Sequence, residues 1–156
     1  MDREAIEFIK EKESQIGAKI GWRTFSTWFG SNNGILREYG VFLCAFDDSL
    51  YFEDFERLPT FLGYPIQRKK KVEYVRYDRT IKASDIKAIT LVRKRDAEKA
   101  IREKALNPLP KANKLISLFA KTVTQVELSS GELLYFELIS IKEFEKIVKE
   151  LKNGSI

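Results

Sequence analysis

The chain has 156 residues, of which 44% are apolar and 33% are charged, and it contains no histidine and a single cysteine. This composition is typical of one soluble domain. The absence of histidine removes the side chain that most often acts as a general base or a metal ligand near neutral pH. The sequence therefore predicts no catalytic residue, no metal ligand and no cofactor, and we expect a protein that is not an enzyme.

The apolar stretches are short, and the first residues of the chain are charged. No stretch approaches the roughly 20 apolar residues that span a bilayer, so we expect no transmembrane segment. Residues 1–4 carry mixed charge without an apolar core, which argues against a secretory signal and favours a cytoplasmic location. Cys44 lies in the apolar run 41–46, where a buried and inert thiol is expected.

The N-terminal part predicts two helices. Residues 3–16 carry a partial helical stripe, with Asp2 available as an N-cap and Gly17 as a stop. Four aromatic residues then follow three or four positions apart, which would place them on one face of a short helix: Trp22, Phe25, Trp28 and Phe29. Residues 31–34 are rich in Asn and Gly and predict a turn.

Strand patterns dominate the middle of the chain. Apolar, β-branched and aromatic runs predict a hairpin over 40–53 and a loop over 55–67, followed by strands at 72–77, 80–82 and 86–93. A turn is expected at 78–79 and a one-turn interruption at 83–85.

The last third begins with an inserted helix near 96–106, capped by Asp96, and continues with strands at 115–119, 122–128 and 133–138. We expect a simple meander, because sequential strands usually pair. A C-terminal helix over 141–152 is predicted by a capping box formed by Ser140 and Glu143 and by a continuous apolar stripe.

Three stretches of strand, turn and strand, at 40–52, 81–89 and 126–138, precede this helix. Together they resemble the pleckstrin-homology-like superfold, and in particular its GRAM-type and bacterial members. The resemblance implies an α+β, mainly β fold, in which a bent antiparallel β-barrel is capped by a C-terminal amphipathic helix. On this reading the chain is one domain, with an N-terminal helix and aromatic extension at 1–34 and the pleckstrin-homology-like core at 35–153. It also implies a non-catalytic binding module.

A basic segment and two other clusters are the candidate sites. Residues 66–95 hold 11 Lys or Arg against 3 Asp or Glu. Six cations in or near the basic run of this segment are candidates for binding anions: Arg68, Lys69, Lys70, Lys71, Arg76 and Arg79. The competing interpretation is that the run is a solvated loop. The four aromatic residues either contact a partner or membrane or cover a core. The carboxylates at 47, 48, 53, 54 and 56 predict a solvated acidic edge rather than a catalytic pair.

These features favour a module that docks on a protein partner or on the anionic lipid headgroups of a membrane, with peripheral membrane association as the alternative to a purely cytoplasmic location. Two other functions remain open. Single-stranded nucleic acid could stack on Tyr74 and Tyr77 beside Arg76. Self-association could pair the acidic segment 47–56 with the basic segment 66–95 of a second copy.

Overall fold

The computed structural model describes residues 2–55, 60–61, 64–65, 75–138 and 140–154, and at 60–61 and 64–65 the backbone alone. Within these residues lie a one-turn 3₁₀ helix at Ala83–Asp85 and four α-helices. The α-helices are α1 Arg3–Ile16, α2 Lys94–Arg102, α3 Lys114–Phe119 and α4 Ile141–Lys152. The helix predicted at 3–16 is confirmed, and Gly17 ends it in the left-handed conformation at φ 79°.

The strands are β1 Trp22–Ser31, β2 Leu36–Phe46, β3 Ser49–Phe55, β4 Thr60–Phe61, β5 Tyr64–Pro65, β6 Asp78–Lys82, β7 Ile86–Arg93, β8 Thr122–Leu128 and β9 Leu133–Glu137. Seven of them form one antiparallel sheet in the order β6-β3-β2-β1-β9-β8-β7, whereas β4 and β5 pair with each other. The fold is therefore α+β with a seven-stranded antiparallel sheet, and the predicted hairpin at 40–53 is confirmed.

The structure contains two separate meanders instead of the single meander that was predicted. Sequential pairing runs through β1, β2, β3 and β6, and again through β7, β8 and β9. The two halves meet where the first strand pairs with the last, with Thr27 opposite Glu137 and Trp28 opposite Phe136. The strands β6 and β7, which are adjacent in the chain, lie at opposite edges of the sheet.

The main core lies on the sheet face that α4 covers. Trp28, Phe52 and Phe136 from the strands pack with Phe144 and other side chains of α4's apolar stripe. The helix has the predicted bounds, and the Ser140 hydroxyl accepts a hydrogen bond from the Glu143 backbone N–H at 3.2 Å. The cap at Ser140, the apolar stripe and the core it packs on thus all support the predicted helix.

A second core lies on the opposite face, under α2. Ala97, Ala100 and Ile101 pack there against Val123 and Tyr135. A helix is present where the inserted helix was predicted, but it runs over Lys94–Arg102 instead of 96–106. Its N-cap is Arg93 instead of the predicted Asp96, which lies in the first turn. Its end is set by the left-handed Lys104 at φ 53°, which lets the Ala105 N–H reach back to the Ala100 carbonyl.

The helix predicted around the four aromatic residues is wrong, because these residues form β1 in the centre of the sheet. Trp22 and Trp28 are an even number of positions apart and share the inner face. Phe29, the residue after Trp28, faces the second core because successive side chains of a strand alternate. Gly30 has φ 125°, and a Cβ there would collide with the Ile35 carbonyl oxygen, so the position requires glycine. Part of the predicted extension therefore belongs to the sheet.

Further predictions differ from the structure. The loop expected at 55–67 contains the two short strands β4 and β5. The strand expected at 115–119 is the helix α3, whose N-cap Asn113 accepts from the Ile116 N–H at 2.7 Å. The turn expected at 78–79 begins β6. Of the strand expected at 72–77, residues 75–77 are irregular and 72–74 lie outside the described residues.

Candidate functional site

The predicted basic site is only partly described. Its four consecutive cations at 68–71 lie outside the described residues, so that part stays a prediction. Arg76 forms an ion pair with Glu53, and Arg79 forms one with Glu132. The hydrogen bond to Glu132 raises the pKa of Arg79. The two described members are thus engaged by carboxylates of their own chain, which lowers the charge they offer to a ligand.

Glu53 belongs to a buried polar cluster, so its assignment to a solvated acidic edge is wrong. It is 7% exposed and forms ion pairs with Lys12 of α1 and with Arg76. The Tyr51 hydroxyl also donates to it at 2.9 Å. Burial, together with this hydrogen bond, raises the pKa of Tyr51 to about 12. The cluster ties α1 and the chain before β6 to one face of the sheet.

Asp54 points to the opposite face, because successive side chains of a strand alternate. It is 2% exposed and accepts from Arg37 Nε and from the Tyr77 backbone N–H, both at 2.8 Å. The Trp28 indole N–H also approaches it at 3.4 Å. Since Glu53 and Asp54 do not converge on one space, they do not form an acid pair of the kind that hydrolysis needs. Glu56 lies outside the described residues.

Three of the four candidate aromatic residues are packed inside the protein. Trp28 and Phe29 are almost fully buried, in the first and second core respectively. Trp22 is half-buried and donates its indole N–H to Glu143 at 3.1 Å. Phe25 alone is well exposed, at 54%. The face that a partner could reach is therefore much smaller than the spacing of these residues predicts.

Tyr77 is also engaged within the fold. Its ring stacks on the Trp28 indole, with ring centroids 5.2 Å apart and planes inclined by 15°. A tyrosine in that position has one face occupied by the core, which weakens the predicted platform for nucleic-acid bases. Tyr74 lies outside the described residues.

An apolar groove of about 430 Å³ runs between α1 and the outer face of the sheet. Phe8 and Ile9 line it from the helix, and Phe25, Phe42 and Phe55 line it from the strands. The Phe8 ring meets the Phe42 ring edge-on at 5.2 Å, which closes the floor of the groove. The exposed Phe25 is at the rim, so the groove could accept an apolar side chain of a partner.

The most exposed apolar side chains of a described helix lie on α3, which connects β7 to β8 together with α2. Leu115, Leu118 and Phe119 are 66%, 78% and 84% exposed, and no residue of α3 is buried. We call these three side chains the α3 patch. Single exposed leucines are common on protein surfaces, but three large apolar groups on one short helix form a candidate contact site.

Cations lie beside the C-terminal end of the α3 patch. Arg93, Lys94, Arg95 and Lys121 line a hollow of about 380 Å³ at the end of α3, together with Glu98. The Lys94 backbone N–H donates to the Lys121 carbonyl at 2.8 Å, which holds the two ends of the connection together. Lys94 pairs with Glu98 at 3.7 Å, and Arg93 pairs with Asp96 at 3.2 Å.

Other cations near the patch are less engaged. Within the described residues, no carboxylate forms an ion pair with Arg95, Lys111, Lys114 or Lys121, and all four are exposed. Residues 93–121 contain nine Lys or Arg against three Asp or Glu, a formal charge of +6. Because the whole chain carries +5, the rest of the protein sums to −1. This connection is one of two strongly basic stretches, since residues 66–92 hold eight Lys or Arg against three Asp or Glu.

Sequence reasoning missed this surface because a short apolar run fits a buried strand as well as a helix. The signal that distinguishes them is local. Asn113 stands at an N-cap position three residues after Pro110, and Leu115, Leu118 and Phe119 recur at helical spacing.

Cys44 is fully buried, as predicted, and burial raises the pKa of its thiol to about 12, so it is a poor nucleophile. In the part of the chain that the structure describes, no three potential ligands among Cys, Asp and Glu are grouped around a metal position. No described helix is long and apolar enough to cross a membrane.

No protein-family model matches the sequence, and no curated protein matches it significantly.

Proposed function

We propose that this chain is a non-catalytic binding module of the pleckstrin-homology-like superfold that docks on an anionic membrane surface. The strand order supports the fold assignment, because two antiparallel meanders are joined through the first and last strands. The C-terminal helix packs its apolar stripe on the inner core, where the resemblance expects the capping helix. Fold alone does not define a ligand, so the ligand is argued from the surface.

The observation that carries the proposal is the coincidence of exposed apolar side chains and concentrated positive charge in residues 93–121. Peripheral membrane proteins combine these two contributions, since apolar groups enter the headgroup region and cations are attracted to anionic lipid. Each Lys or Arg near an anionic surface contributes about 1 kcal/mol. A formal charge of +6 with the α3 patch is sufficient for reversible association without a specific headgroup pocket.

The experiment is co-sedimentation with vesicles of phosphatidylcholine alone and of phosphatidylcholine mixed with phosphatidylserine. We expect binding only to the anionic vesicles, and we expect it to weaken strongly between about 0.1 M and 1 M salt, where the Debye length falls from about 10 Å to about 3 Å. Absence of binding to anionic vesicles at the lower salt concentration would overturn the proposal.

A triple variant separates the two basic segments. Replacing Lys69, Lys70 and Lys71 by Glu tests the run predicted from the sequence. If that run is a solvated loop, the variant keeps most of its vesicle binding. Loss of all binding would assign the docking surface to residues 68–71 instead of to the β7–β8 connection.

A protein partner is the second candidate, and the groove between α1 and the sheet favours it. Its apolar walls and the exposed Phe25 fit an apolar side chain of a bound segment. The variant Phe25→Ser tests this function. Unchanged vesicle binding together with lost capture of a partner would separate the groove from the membrane surface.

A further inference from the structure

The helix α3 is an amphipathic element that contributes no buried residue to either core. It has six residues, which corresponds to a length of about 9 Å, and none of them is buried. Its three exposed apolar side chains stand at positions i, i+3 and i+4, so they share one side of the helix. The Asn113 cap and the Lys94–Lys121 backbone hydrogen bond fix the two ends of the segment. The helix is thus held in place while its apolar side remains uncovered.

Cations flank this apolar side along the chain. Lys111 and Lys114 precede the patch, Lys121 follows it, and the basic hollow with Arg93 and Arg95 lies at its C-terminal end. A lysine can extend its apolar stem along a membrane interface while its ammonium group reaches the phosphates. An interface of acyl chains and anionic headgroups accommodates apolar residues that are flanked by cations.

We infer that α3 is the element that enters the membrane: Leu115, Leu118 and Phe119 insert into the interface of an anionic bilayer, and the basic hollow contacts lipid phosphates. This inference rests on the proposed function and assigns it to one helix. Insertion of roughly 5–10 Å is the depth typical of interfacial helices, and it matches what side chains of one short helix can reach.

Charge decides between a bilayer and a second copy of the chain as the occupant. Two copies that met through this surface would bring together two segments of +6 each, which repel. An anionic bilayer has the complementary sign and also offers an apolar layer for the patch. The bilayer is therefore the occupant that satisfies both features.

A single fluorescent label can report insertion directly. Cys44 is fully buried with a raised thiol pKa, so one introduced cysteine can be labelled selectively. An environment-sensitive dye is attached at Leu118→Cys, and matched dyes are attached at Lys142→Cys on α4 and at Phe25→Cys on β1. We expect a blue shift and a severalfold rise in emission on anionic vesicles for the label at position 118 alone, with quenching by lipids that carry a quencher in the acyl chain.

The label separates the two proposals. If the protein sediments with anionic vesicles while the label at position 118 does not respond, the inference about α3 is wrong and the proposed function stands. If the protein does not sediment with these vesicles, both fail. A response at position 25 with none at position 118 would assign insertion to the outer face of β1.

Two pairs of variants test the apolar and the basic contributions. Leu118→Ser combined with Phe119→Ser should weaken binding about tenfold or more. Ile35→Ser combined with Val75→Ser, at two exposed apolar side chains outside residues 93–121, should leave it unchanged. Arg95→Glu combined with Lys121→Glu should weaken binding about tenfold or more, whereas Lys10→Glu combined with Lys142→Glu, with the same change in net charge, should have a much smaller effect.

All substituted side chains are exposed, so the variants should remain folded, and circular dichroism and thermal unfolding verify this. Equal losses in the test and control variants would contradict the inference, because binding would then follow net charge or surface hydrophobicity rather than α3.

Discussion

Glu53 lies in a buried ion-pair cluster that its local sequence does not reveal. Its neighbours Asp47, Asp48 and Asp54 suggest a solvated acidic edge, yet Glu53 contacts Lys12 of α1 and Arg76 beyond β3. Both partners come from other parts of the chain, and only the packing of α1 on the sheet brings Lys12 near. A carboxylate can remain buried when its charge is matched in this way.

Removing the charge of Glu53 should destabilise the fold. In Glu53→Gln, Lys12, whose side chain is only 8% exposed, loses its carboxylate partner. Breaking a buried ion pair by removing one partner costs about 3–5 kcal/mol of unfolding free energy. Urea denaturation of the variant and the wild type measures the difference.

The matched control is Glu7→Gln, because Glu7 pairs at 3.1 Å with Arg3 and both side chains are well exposed, at 64% and 90%. An exposed pair contributes about 0–1 kcal/mol, so this variant should be close to the wild type. If Glu53→Gln lowers the unfolding free energy as little as the control does, Lys12 finds water or another partner in the variant.

At the scale of elements, predictions succeeded where independent local signals agreed. The helix α4 combines a cap at Ser140, an apolar stripe and a following Asn-Gly stop, and its bounds are those predicted. For β1 the spacing of Trp22, Phe25, Trp28 and Phe29 was the single signal, and a strand with apolar side chains on both faces produces the same spacing. For α3 the apolar run had no period long enough to exclude a strand.

The cap of α4 should contribute measurably to stability. Its hydroxyl satisfies the N–H of Glu143, which would otherwise have no partner within the helix. We expect Ser140→Ala to lower the unfolding free energy by about 1 kcal/mol and Ser140→Asp, which keeps an acceptor, to preserve it. Thermal and urea unfolding of both variants measure this. An alanine variant as stable as the wild type would show that water replaces the hydroxyl.

At the scale of the whole molecule, charge and packing are distributed differently along the chain. Both cores depend on the strands and on α2 and α4. Residues 93–121, which include α2, carry a formal charge of +6. The basic surface predicted from the sequence includes residues 68–71, which lie outside the described residues, so that part stays a prediction. The exposure of the α3 patch could not be predicted, because it depends on how the β7–β8 connection returns to the sheet.

The same distribution predicts a gradient of local stability that hydrogen exchange can measure. Residues 41–45 of β2 are buried and pair with strands on both sides, so their amides should exchange only by global unfolding. In α3 no residue is buried, and in α1 only Lys12 is, so amides of both helices should exchange through local opening with much lower protection.

Anionic vesicles should change the amide exchange rates of α3 alone among these three segments. If α3 enters the interface, its amides become protected on vesicles while those of α1 keep their rates, because α1 has no part in the proposed contact. Mass spectrometry of peptides covering 3–16, 41–45 and 114–119 gives the three rates with and without vesicles. Protection of α3 equal to that of β2 in the free protein would contradict the gradient, since it would mean that α3 opens only when the cores unfold.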